Sequence, residues 1–84
     1  MEIRYLKKVN NGRIKADFSV VWEGRLAIHH CVLMENDKGK LYIKFPWRTY
    51  EVNGKKAYES VVEVDQVLMV KISELALHEY GVTK

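Results

Sequence analysis

A single cysteine, Cys31, and a single proline, Pro46, leave this chain few covalent or backbone constraints. One thiol cannot close an internal disulfide, and cysteine this sparse suits a reducing compartment. No apolar run approaches the roughly 20 residues that cross a bilayer as a helix, so no membrane association is expected. The opening stretch MEIRYLKKVNNG has neither the apolar core nor the small-residue cleavage site of a secretory signal. A cytoplasmic protein is expected, nucleoid-associated if it binds DNA. Also missing are a phosphate-cradling glycine loop, a dinucleotide fingerprint and a calcium-loop pattern. No nucleophile elbow accompanies Cys31, and the carboxylates Glu59 and Glu63 fall in an extended, solvent-facing segment. The expectation is therefore no catalysis, no cofactor and no small-molecule substrate.

His29-His30-Cys31 invites comparison with a metal site. Adjacent strand residues point to opposite faces, so His29 and Cys31 can share a site that His30 cannot join. A structural zinc needs four ligands, and the only other histidine is His78. Two packed or half-exposed histidines beside a small apolar cysteine is the better reading, and no metal is expected. At 84 residues the chain is one domain. A domain this small buries only about 60–65% of its unfolded surface and is marginal alone. With a disulfide excluded and a metal disfavoured, homodimerisation is the expected helper.

What is present is unevenly distributed charge. The formal net charge is only +3, yet residues 1–15 carry Arg4, Lys7, Lys8, Arg13 and Lys15 against Glu2. Residues 38–56 carry six cations against Glu51, while 16–37 and 57–84 are each net negative. Two basic segments separated by acidic ones make a basic patch if the fold gathers them. Otherwise both are solvated strand edges, where lysine discourages edge-to-edge pairing. Both readings stand at this point.

Apolar residues alternate from Ile14 through Ala16, Phe18 and Val20 to Trp22, with Arg13, Lys15, Asp17 and Ser19 opposite. That period of two predicts a half-buried strand. Asn10-Asn11-Gly12 joins it to an earlier strand over 3–9, and Glu23-Gly24 marks the next turn. A third strand over 25–34 is expected to place Leu26, Ile28, His30, Val32 and Met34 on one face, with Ala27, Cys31 and Leu33 on the other. A turn at 36–39 leads to a fourth strand, 41–45, which Pro46 must end or confine to an edge. Asn53-Gly54 predicts a hairpin joining arms 48–52 and 55–62.

The last third changes period. Asp65 is a good N-cap and Gly81 a good stop. Between them Leu68, Met69, Ile72, Leu75, Ala76 and Tyr80 form a stripe at helical spacing, widened by Val70 and Leu77. So broad an apolar arc predicts a helix over 65–80 that meets two surfaces, the sheet and a second subunit.

Leu41 to Lys56, LYIKFPWRTYEVNGKK, interleaves Lys44, Arg48, Lys55 and Lys56 with Trp47 and Tyr50. Guanidinium and ammonium groups grip phosphates, and aromatic faces stack on bases. For Trp47, closing the end of the sheet is the favoured role over stacking.

Leu6-Lys7-Lys8-Val9 followed by Gly12-Arg13-Ile14-Lys15-Ala16 resembles the opening hairpin of the SpoVG family (stage V sporulation protein G), bacterial regulators of sporulation, septation and cell division. Ile28-His29 is similar to that family's third-strand step, and Leu41 to Pro46 to its Leu-Phe-Val-Ala-Met-Pro strand. Leu77-His78-Glu79-Tyr80 matches the end of its C-terminal helix. The resemblance covers nearly the whole chain in order. It implies an α+β fold in which an antiparallel sheet of four to five strands, within residues 2–62, is followed by one helix. It further implies a homodimeric, non-catalytic regulator that binds DNA, with RNA as a second candidate. A serine, two cations and a threonine after the family's proline are implicated in DNA contact, and Arg48-Thr49 takes that position here. Trp47 stands for the serine, one cation precedes the threonine instead of two, and the family's His-Pro step before the helix is replaced by Val62-Glu63. On charge and resemblance together, Arg48 and Lys44 are the principal expected nucleic-acid contacts. Thr49, Lys55 and Lys56 assist, and Arg4, Lys7, Lys8, Arg13 and Lys15 add positive field. The alternative is a protein-interaction module that uses the apolar helix face or a sheet edge.

Overall fold

Tight turns at residues that accept positive φ fold the first half of the chain into a meander. A computed structural model describes residues 1–83. It contains β1 (Glu2–Asn11), β2 (Ile14–Trp22), β3 (Leu26–Glu35) and β4 (Leu41–Lys44), paired antiparallel in the order β1-β2-β3-β4. At Glu23-Gly24 both residues are left-handed, φ 51° and 67°, and the Arg25 N–H donates to the Trp22 carbonyl at 2.9 Å. That conformation matches the right-handed twist of the flanking strands.

β4 ends at Lys44 because Pro46 has no N–H to donate. The chain then leaves the sheet and forms a separate two-stranded ribbon, β5 (Trp47–Val52) and β6 (Lys55–Ser60). Its turn is Asn53-Gly54, φ 52° and 77°, as that dipeptide predicts. A bond from the Val61 N–H to the Pro46 carbonyl, 3.0 Å, closes the base of the ribbon. The expected sheet over 2–62 is therefore two sheets. Beyond its base the ribbon packs almost wholly on itself, with every residue from Arg48 to Ser60 exposed except half-buried Ala57. The radius of gyration, 13.7 Å, exceeds the roughly 12 Å of a compact chain this long, consistent with a projecting arm.

Helix α1 (Gln66–Val82) crosses one face of the four-stranded sheet and packs mainly on β1, with a smaller contact on β4. The Leu68 N–H donates to the Asp65 carboxylate at 2.8 Å, which confirms the N-cap. Gly81, expected as the stop, stays helical. The end comes at Thr83, whose N–H and hydroxyl both donate to the Glu79 carbonyl, at 3.1 and 2.8 Å. Ile72 and Ala76 enter the core against Ala16, Phe18, Val20, Cys31, Leu33, Ile43 and Phe45. Burying each large member of that set contributes about 1.5–3 kcal/mol.

Strict alternation is broken by bulges in β2 and β3, and β1 carries register shifts of its own between Arg4 and Lys7 and between Lys8 and Asn11. Ile14 pairs with Met34 but Ala16 with Leu33, so a bulge at Lys15 puts Ile14 on the opposite face from Ala16. Trp22 belongs to the core side but lies at the sheet's end, 41% exposed. In β3, Phe18 faces Cys31 and Val20 faces Ile28, so His29 and His30 together oppose Ser19. This bulge, with His30 at φ 64°, reverses which residues point inward. Ile28 lies on the helix side before it, Cys31 and Leu33 after it, while Val32 and Met34 turn to the other face. The expected grouping of Leu26, Ile28, His30, Val32 and Met34 on one face is thereby corrected.

Candidate nucleic-acid interface on the open sheet face

The sheet face away from α1 carries no helix, and strand register sets what it displays. Directly opposed residues in an antiparallel pair share a face. Lys7 opposes Asp17, Asp17 opposes Val32, and Val32 opposes Lys44, which makes one row across all four strands. At about 4.8 Å per strand the two lysines stand roughly 14 Å apart. Arg4 opposes Ser19 in the next row, and the Ser19 hydroxyl lies 2.7 Å from Nδ1 of His29. On the other side of the lysine row, Ile14, Met34 and Tyr42 form a third.

Lys7 and Lys44 come from the two separate cationic stretches, and the meander brings both to this open face. Asp17 between them weakens the positive field. Arg4 is ion-paired with Glu2, whose hydrogen bond and charge raise the guanidinium pKa above its ordinary value.

The remaining expected contacts are dispersed. Lys8 opposes Ala16 and therefore belongs to the helix side, where its ammonium lies 4.6 Å from the Tyr80 ring centroid. Arg13, in the β1–β2 turn, is ion-paired with Asp37. Lys15 occupies the bulge and is half-buried. Arg48 is on the ribbon, bonded to Glu59 at 3.0 Å and 5.9 Å from the Tyr50 ring centroid. Thr49 points to the opposite ribbon face, where it opposes Tyr58. Lys55 and Lys56 flank the ribbon tip, and Lys56 faces Glu51. Exposed pairs such as Arg48–Glu59 contribute about 0–1 kcal/mol, so a phosphate can displace the carboxylate at little cost.

Trp47 packs at a strand end, as expected, but toward the open face. With His30, Val32 and Pro46 it lines a cleft there, and Lys44 Nζ lies 4.5 Å from its ring centroid. Alternation places Ser19 beside Asp17 on the polar face, but not His29 and His30 together on this surface. Their signal is a bulge, which side-chain periodicity cannot reveal.

Cys31 has the character of a core residue. It is fully buried, and desolvation pushes its thiol up to about 11. His29 reaches Ser19 on the far face, so His29 and Cys31 do not share a site. Among the described residues no three His, Cys, Asp or Glu side chains converge as metal ligands, and no helix is long and apolar enough to cross a membrane. No family model matches the chain, and no curated protein or solved structure matches it.

Proposed function

We propose that this protein is a non-catalytic nucleic-acid-binding regulator that acts as a homodimer, in the manner its resemblance to the SpoVG family implies. The observation that carries the reading is the row on the uncovered sheet face, which sets Lys7 and Lys44, from the two separate cationic stretches, on one face at its opposite edges. Arg48, Thr49, Lys55 and Lys56 on the projecting ribbon extend the contact, with Arg4 as an auxiliary cation. Lys8, Arg13 and Lys15 contribute field at a distance. Such groups bind phosphates and position the protein; they do not by themselves read sequence.

Binding isotherms for duplex DNA, single-stranded DNA and RNA across a salt series test this. Affinity is expected to fall steeply with salt, and each of Lys7→Ala, Lys44→Ala and Arg48→Ala should reduce the log–log slope by about one. A flat salt profile would falsify the proposal.

The dimer has its own support. Val67, Val70 and Leu77 are 73%, 47% and 40% exposed on α1, and burying them against a second copy of this helix is the contact proposed for the dimer. A heterologous protein partner on the same surface is the competing reading. Sedimentation of Val70→Glu/Leu77→Lys decides between them. A dimer that splits supports self-association, whereas a wild type that is monomeric at all concentrations favours the interaction module.

A further inference from the structure

The open face holds one concavity that phosphate contacts do not explain. His30, Val32, Pro46 and Trp47 line a cleft of about 310 Å³ on it. Buried Val32 and half-buried Pro46 contribute apolar surface, and Trp47, also half-buried, presents an aromatic wall. Lys44 lies against the same indole, 4.5 Å from its centroid, but is not part of the cleft lining. His30 is exposed and held at φ 64°, a left-handed conformation that is costly for any residue with a Cβ. Glycine or asparagine would sit there more easily, and neither would supply an imidazole. The β3 bulge thus holds a second aromatic group at the cleft against local backbone preference.

We propose that this cleft takes one unpaired nucleobase of a single-stranded nucleic acid, stacked on Trp47 and His30, while Lys44 contacts a neighbouring phosphate. The inference deepens the nucleic-acid reading above and rests on it. Indole and imidazole rings beside an apolar floor match the flat π-face that every base carries. The ammonium held against the same indole matches the charge that always accompanies that base in a strand. A base inside a duplex cannot enter the cleft without leaving its stack, so preference for single strands follows from the shape of the site. An apolar side chain of a protein would fill the same space but would bring no anion to Lys44.

The test uses Trp22→Phe protein, in which Trp47 is the only remaining tryptophan. Oligothymidylate, oligouridylate, thymidine monophosphate, a mixed-sequence duplex and an abasic strand of equal length are titrated at low salt. The abasic strand has the same phosphates and no bases. Thymidylate or uridylate strands should quench Trp47 and bind roughly tenfold or more tighter than the abasic strand, the size expected for one stacked base. His30→Gly and Trp47→Leu, followed with labelled strands, should erase that advantage, so that thymidylate and abasic strands bind each variant alike. Preference for one sugar, or for strand over monophosphate, identifies the source of the base. Equal affinity for abasic and thymidylate strands with Trp47 unquenched overturns the cleft while leaving the polyanion contact intact. No salt-sensitive binding to any polymer overturns both.

Discussion

Replacing His30 by glycine should make this protein more stable, although it deletes a side chain from the proposed site. His30 sits at φ 64° in the middle of β3. A left-handed conformation costs an L-residue about 1–2 kcal/mol, which glycine does not incur. Against that, glycine gives up about 0.5–1 kcal/mol through the greater freedom of its unfolded chain. His30 is exposed, and among the described residues its side chain makes no hydrogen bond, so little packing is lost. The balance is a gain of up to about 1.5 kcal/mol with a midpoint of about 0.75 kcal/mol, which is roughly 3–6 °C in melting temperature for a domain of this size. Urea denaturation should show a higher midpoint at unchanged slope. His30→Ala is the control, because it removes the imidazole but keeps the strain and should gain nothing. Should the glycine variant prove no more stable than the alanine variant, the left-handed bulge at His30 is not a source of strain, and the argument that the chain sustains it for function fails.

Ile72 is the helix's principal anchor, 1% exposed, and Ile72→Ala should cost about 2–5 kcal/mol in urea unfolding, as for other buried aliphatic truncations. A cost below 1 kcal/mol would mean that α1 is not docked through this face. Asp65→Ala should lose about 1 kcal/mol and Asp65→Ser almost none, since serine also caps. Cys31 adds an alkaline pH dependence. Its thiol titrates near 11 when folded against 9.0 as the ordinary value, so its contribution is complete below pH 9 and declines as pH rises through 11. About 2–3 kcal/mol is involved, and the difference between wild type and Cys31→Ala should shrink over that window. Native Cys31 should also resist iodoacetamide at neutral pH until the protein is denatured. Rapid labelling of the folded protein would contradict its burial.

Much of the fold was legible in local signals. Asn53-Gly54 and Glu23-Gly24 act through backbone sterics that no distant contact can reverse, so their turns could be named from two residues. Asp65 did the same for the helix start, and Pro46 for the end of β4. Period-two alternation through Ala16, Phe18 and Val20 correctly assigned the middle of β2. Gly81 misled because a glycine inside a helix costs only about 1 kcal/mol, which continued packing of the last turn outweighs.

The candidate site was legible only in part. The amino-acid order alone determined which side chains are cationic or aromatic and that they fall into two stretches. It also determined the turns between strands, because each depends on the φ preferences of adjacent residues. Which cations share a surface depended on register, and register depends on bulges. Inserting His29 and His30 opposite Ser19 turns Val32 outward, and Lys44, opposite Val32, stands on the face that α1 leaves open. Lys7 and Lys8 take opposite faces by simple alternation, but which of the two meets the open face was set by pairing with β2. Pairing geometry between strands distant in sequence is a property of the packed sheet, so only the tertiary structure could decide it.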